Sequence, residues 1–132
     1  MATELNGKRV AILAADGVER VELEQPREAV HTAGGVTELL SPRTGEIQAR
    51  NNDLDSAGTF TVDRAVSGAS VDDYDALLLP GGTVNPDKLR IDPAAVRFVR
   101  DFAGSDKPVG VICHGSWTLV EAGVVKDRTL TS

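Results

Sequence analysis

Residues 108–116 read Pro108-Val109-Gly110-Val111-Ile112-Cys113-His114-Gly115-Ser116, and this stretch decides the fold. A short apolar run leads into Cys113, and a helical pattern leaves it from Ser116. Strand, tight turn and helix in that order form an elbow that lifts a nucleophile above the end of a sheet. A run that is apolar on both faces fits a parallel strand, because such strands are covered by helices on each side.

Working back from the elbow, Asp92 and Pro93 open a helix as N-cap and first helical residue. Val96, Val99 and Ala103 give that helix an apolar stripe, with Phe98 and Phe102 beside it, and Gly104 closes it. Residues 74–79 run through Leu77-Leu78-Leu79, a second doubly buried strand stopped by Pro80-Gly81-Gly82. Residues 36–41 (VTELLS) and 8–14 (KRVAILA) read as two more strands. Between those two, residues 18–33 have mixed helical spacing and are read as a helix. Pro26 marks a kink or its first turns, and Gly34-Gly35 ends it. Residues 42–55 are rich in Gly, Asn and Asp and read as a surface excursion, with a small hairpin over 45–49 and 59–63.

Strands alternating with helices give an α/β fold, a flavodoxin-like or Rossmann-like parallel sheet with helices on both faces. The length suits a single domain over residues 1–132. In such sheets ligands gather outside the carboxyl ends of the strands. Three segments meet that description: 15–19, 80–85 and 113–116. No internal repeat or low-complexity tract interrupts the pattern.

Composition narrows the partners. A net charge of -6 and a pI near 4.8 argue against nucleic acid, which needs a basic face, and against anionic membranes. No apolar run reaches spanning length. The polar start, residues 1–7, does not resemble a signal peptide, so a cytoplasmic location is expected. One cysteine precludes an internal disulfide and a cysteine zinc site. The two histidines stand far apart, so no metal is expected; no cofactor is expected either. Aromatics are only 4% of the chain, so the core must be built from Val, Leu, Ile and Ala.

Cys113 is the first candidate for chemistry. At the N-terminal end of a helix its thiolate is favoured by the dipole and free N–H groups. The plain alternative is a small buried hydrophobe. His114 could serve as general acid or base, or be a turn residue that projects sideways. Glu19, after the first strand, could approach the sulfur as a proton shuttle, or be a surface acid at a helix start. Glu22 and Glu24 show that acids are common in that segment. Gly81 and Gly82 could present backbone N–H groups to an oxyanion, or merely make a tight turn. His31 is read as structural, near a helix C-terminus. Asp53, Asp55, Asp72, Asp73 and Asp75 are read as solvated loop and cap acids.

Three segments together resemble a known family. They are 14–23 (AADGVERVEL), 78–87 (LLPGGTVNPD) and 111–115 (VICHG) followed by 121–125 (EAGVV). In this order they resemble the PfpI-type intracellular proteases, in the superfamily of class I glutamine amidotransferase-like folds that includes the Parkinsonism-associated deglycase. The resemblance spans nearly the whole chain. It implies Cys113 as nucleophile, Glu19 as the carboxylate that tunes it, and His114 as acid/base partner. Gly82 and the His114 amide would hold the oxyanion. Asp87 stands where a cross-subunit acid would fall in the protease members, with a shorter side chain than the usual Glu. The resemblance also implies a homo-oligomer, a dimer or higher. Ser116 replaces a common proline, and serine is a good N-cap. Family members continue past the equivalent of Ser132, which implies a domain incomplete at its C-terminus.

Three functions are consistent with this reading. One is a stress-related glyoxalase or deglycase, in which Cys113 attacks a small aldehyde or a glycated group. Another is an intracellular cysteine peptidase with a peptide substrate. The third is a non-enzymatic redox sensor or chaperone whose exposed cysteine oxidises selectively.

Overall fold

The computed structural model describes residues 5–112. Cys113, His114 and the elbow built on them therefore lie outside the described residues. Among the described residues, the first strand, β1 (Arg9–Leu13), sits at the middle of a five-stranded sheet. Beside it on one side lies β3 (Val36–Ser41), followed by the two-residue β6 (Arg64–Ala65). On the other side lie β7 (Ala76–Leu79) and then β8 (Val109–Val111). Every pairing in this sheet is parallel.

Side chains alternate across a strand, so β1 feeds two cores. Ala11 and Leu13 pack with Leu77, Leu79, Phe98, Val99 and Phe102 on one face. Ile12 and Ala14 pack with Leu23, Leu39, Ile47 and Phe60 on the other. The first face is covered by α3 (Pro93–Ala103) and the second by α1 (Arg20–Thr32). The expected α/β sheet with helices on both faces is thus the observed architecture. Asp92 caps α3 as its sequence indicates, accepting from Ala95 N at 2.8 Å. The buried stripe of α3 is Ala95, Phe98, Val99, Phe102 and Ala103, while Val96 is only half-buried.

Three local expectations need correction. The first helix begins at Arg20, not at residue 18. Val18 and Glu19 form a short extended strand, β2 (Val18–Glu19), because the fully buried Val18 belongs to the core beneath the hairpin. The second correction concerns residues 42–55, which are mostly strand. β4 (Gly45–Asn51) and β5 (Asp55–Val62) form an antiparallel hairpin longer than the expected one. β2 pairs with β4 in parallel, through Val18 with Ala49 and Glu19 with Arg50. The hairpin's polar composition reflects its outer face, since of its strand residues only Ile47, Ala49, Phe60 and Val62 are buried. Arg20 and Arg27 of α1 stack over Phe60 at 4.7 and 5.0 Å, fastening helix to hairpin. The third is a six-residue helix, α2 (Val84–Leu89), absent from the sequence reading. It is too short to show a helical period, and Pro86 inside it hides it further.

Candidate functional site

The described strand ends converge. Ala14 N donates to Leu40 O at 3.0 Å, just past the end of β1. Ile112 N donates to Leu79 O at 3.0 Å, which lays the last described residue beside the end of β7. Cys113 follows Ile112 directly in the chain. The loop after β7 therefore starts beside Ile112, where the described residues end.

The loops after β1 and β7 cross in close contact. Glu19 N donates to Gly81 O at 3.3 Å. Gly82 adopts φ 93, and a Cβ there would lie 2.6 Å from Gly17 O and 3.0 Å from Glu19 N. Only glycine fits both the left-handed backbone and the close approach. Asn85, at the start of α2, locks the crossing. It is fully buried. Its Oδ1 accepts from Ala15 N at 2.7 Å, and its Nδ2 donates to Pro80 O and Gly81 O, each at 2.9 Å. A buried amide with donors and an acceptor all engaged holds both loops in one register.

The two acids at the start of α1 face different ways. Glu22 Oε1 accepts from Gly81 N at 2.9 Å, so its carboxylate stands at the strand-end mouth. Glu19 turns to the hairpin. Its Oε2 accepts from Asn52 N at 2.7 Å and its Oε1 from Asp53 N at 2.9 Å. Both oxygens of Glu19 are thus engaged at the hairpin tip. Of the two glycine amides singled out for an oxyanion, that of Gly81 already donates to Glu22.

Asp53, read from the sequence as solvated, reaches from the hairpin tip to the loop after β7. Its Oδ1 accepts from Thr83 N at 2.8 Å, and its Oδ2 accepts from the Thr83 hydroxyl. Asp87 lies on α2 with its carboxylate 2.7 Å from Arg90 Nε, a surface pair of its own helix. His31 bonds Thr37 Oγ1 at 2.9 Å, in keeping with a structural role. Asp75 Oδ2 accepts from Arg9 N at 2.8 Å, at the opposite end of β1.

Sequence reasoning missed Glu22, Asn85 and Asp53. Glu19 and Glu22 are one helical turn apart, so the pattern shows two acids without telling which faces the mouth. The start of the helix decides it. With Glu19 in an extended N-cap, Glu22 falls in the first turn. Asn85 left a faint signal, a polar residue just after a Gly-Gly stop and just before a proline.

An open parallel sheet with helices on both faces, and a carboxylate bound to a backbone amide at its strand ends, defines the class as an α/β protein of the flavodoxin-like type. The chain belongs to the DJ-1/PfpI family, whose model matches residues 8–132. It is 35% identical over 126 residues to Protein/nucleic acid deglycase 2 of Escherichia coli K12, covering 95% of this chain and 70% of that protein. It is 32% identical over 125 residues to the "Putative cysteine protease YraA" of Bacillus subtilis 168, covering 94% and 70%. Among solved structures, it resembles a two-domain protein of Anabaena variabilis with DJ-1/ThiJ/PfpI-like and ferritin-like domains. The TM-score is 0.80 at 32% identity, over 89% of this chain and 34% of that one. DJ-1 of Schizosaccharomyces pombe shares the fold, with a TM-score of 0.73 at 22% identity over 88% and 63%. The chain thus spans about a third of the first of these structures and less than two thirds of the second. Among the described residues no helix is long and apolar enough to cross a membrane.

Proposed function

We propose that this is a cysteine-dependent enzyme acting on reactive aldehydes or glycated groups, of the glyoxalase or deglycase type. The observation that carries this reading is the Glu22 carboxylate held on Gly81 N, in the loop that starts beside Ile112, the residue before Cys113 in the sequence. A carboxylate so placed can pass protons to and from a substrate at the thiol. The similarity to a deglycase over most of the chain supports the same reading.

In this scheme the Cys113 thiolate adds to the aldehyde carbon of methylglyoxal, and the carbonyl oxygen takes a proton to give a hemithioacetal. A proton then moves from the former aldehyde carbon to the neighbouring carbon through an enediol, leaving a thioester. Water cleaves the thioester, releasing lactate and the thiol. The net change is addition of one water, with the oxidation of one carbon matched by reduction of its neighbour. Glu22 and His114 carry the protons, and Glu22 takes the place beside the thiol that the resemblance implied for Glu19. The amides of Gly82 and His114 receive the oxyanion. The active species is a cytoplasmic homo-oligomer engaged in stress response.

The test is lactate production from methylglyoxal by the wild-type chain and by Cys113→Ala. Lactate from the first and none from the second supports the reading. Equal rates from both reject it.

A second reading, an intracellular cysteine peptidase, is favoured by the similarity to YraA. It calls for an acid from a neighbouring subunit, and Asp87 is paired with Arg90 on its own helix. Cleavage of an unfolded protein by wild type, lost in both Cys113→Ala and Asp87→Asn, would establish it. A purified oligomer that cleaves nothing rejects it.

A further inference from the structure

The tip of the β4–β5 hairpin is built into the mouth by two carboxylates in series. Asn52 and Asp53 both have left-handed backbone, with φ of 53 and 69. They are the two corner residues of the tip's turn, which Leu54 N closes on Asn51 O at 3.2 Å. Both oxygens of Glu19 accept from their adjacent N–H groups. Asp53 is thereby fixed at its backbone, and its own side chain extends onward to Thr83. There it holds the backbone N–H with one oxygen and the hydroxyl with the other. Thr83 follows Gly82 and stands two residues beyond Gly81, whose N–H is the donor to Glu22. The path from Glu19 through Asp53 to the Gly81–Thr83 turn is continuous in hydrogen bonds.

We propose that Asp53 is a positioning residue for this site, acting through Thr83 to hold the Gly81-Gly82-Thr83 turn in the geometry that the nucleophile requires. This deepens the function given above and rests on Cys113 being the nucleophile. The hairpin then sets the site through its tip. The direction of the effect follows from charge. With the turn fixed, the Gly81 N–H partly neutralises the Glu22 carboxylate, and the Gly82 N–H, which neither Glu22 nor Asp53 takes, can stabilise a thiolate. With the turn released, both effects weaken and the thiol holds its proton more firmly.

The experiment is the rate of Cys113 alkylation by iodoacetamide against pH. It is run on the full chain and on Asp53→Ala, Thr83→Val, the double variant and Thr83→Ser, with circular dichroism as the check on folding. The expected wild-type midpoint lies below the free-thiol value of about 8.5. Asp53→Ala and Thr83→Val should each raise it by about one pH unit. The double variant should go no further than either single one, and Thr83→Ser, which keeps the hydroxyl, should restore the depressed value. A depressed wild-type midpoint that Thr83→Val and a folded Asp53→Ala leave in place overturns the positioning role while sparing the nucleophile. A wild-type midpoint at the free value overturns the nucleophile reading, and the positioning role falls with it. Should Asp53→Ala fail to fold, Asp53→Gly takes its place, since glycine suits the left-handed backbone there and removes both bonds to Thr83.

Discussion

Glu22 and Gly81, 59 positions apart in the chain, meet as a carboxylate oxygen and a backbone N–H at 2.9 Å. Glu19, one turn earlier, meets the hairpin tip instead. The two acids are therefore separable by mutation. Glu22→Gln keeps an acceptor for Gly81 N but removes the exchangeable charge. It should lower kcat/KM for methylglyoxal by about a hundredfold or more, the scale of general acid–base catalysis. Glu19→Gln keeps one acceptor for the hairpin and should lower activity far less. Kinetics on the two variants side by side check the assignment, and a larger loss in Glu19→Gln would reverse it.

Asn85 makes three hydrogen bonds from a fully buried position. Asn85→Ala leaves Ala15 N, Pro80 O and Gly81 O without it. Each stranded group costs about 1–3 kcal/mol, partly relieved where water enters. A total of roughly 3 kcal/mol is expected, read as a fall in the urea midpoint. Asn85→Asp keeps the acceptor for Ala15 N but presents oxygen to two carbonyls, so it should also be destabilising. A midpoint unchanged in Asn85→Ala would show that the two loops hold their crossing without it.

Gly82 and Gly45 share left-handed backbone, with φ of 93 and 103, but differ in surroundings. A Cβ at Gly45 meets nothing within 4 Å, whereas one at Gly82 lies 2.6 Å from a backbone oxygen. Gly45→Ala should therefore cost only the backbone term, about 1 kcal/mol. Gly82→Ala should cost several times more, since the loop after β1 must move, and activity should fall with it. Thermal unfolding of the pair checks this. Equal losses would mean that the loops separate easily.

Tyr74 is the chain's single tyrosine, so its ionisation can be read directly from tyrosinate absorbance. Burial, then its hydrogen bond to Glu38 and the charge of that carboxylate, push the phenol well above its ordinary value, against smaller opposing effects of Arg64 and Arg9. The folded chain thus holds this proton more firmly than the unfolded chain does. A group with a raised folded value adds stability in full below its unfolded value, about 10, and that contribution is lost as pH rises through the folded value. Alkaline titration should show no tyrosinate until well above pH 10, arriving together with unfolding. Tyr74→Phe should flatten the fall in stability over the same range. Ionisation near pH 10 in the folded chain would refute the buried contact.

How much of this was readable beforehand follows from the range of the forces involved. β1, β3, β7, β8 and α3 declare themselves because each carries a local pattern, such as the Leu77-Leu78-Leu79 run or the Asp92-Pro93 start. Val18 read as helical because its spacing is compatible with a helix, and a tertiary contact with the hairpin's core made it strand. α2 left no periodic trace. At the site, the Gly81-Gly82 turn and an acid at the start of α1 were visible as types. Which acid faces the mouth depends on where the N-cap falls, and that is set by the pairing of β2 with β4, some thirty positions away. Asp53 could not be told from its solvated neighbours because its partner, Thr83, is remote in sequence.

The order of the strands also carries a consequence for how the molecule is made. β1 takes β3 as one neighbour within a few tens of residues, but its other neighbour, β7, arrives only after the whole hairpin has been synthesised. The chain is synthesised from its N-terminal side. Glu22, Asp53 and Ala15 are therefore made before Gly81, Thr83 and Asn85, the residues that they bond. The mouth is the last part to close, and its closure waits for β7 and β8.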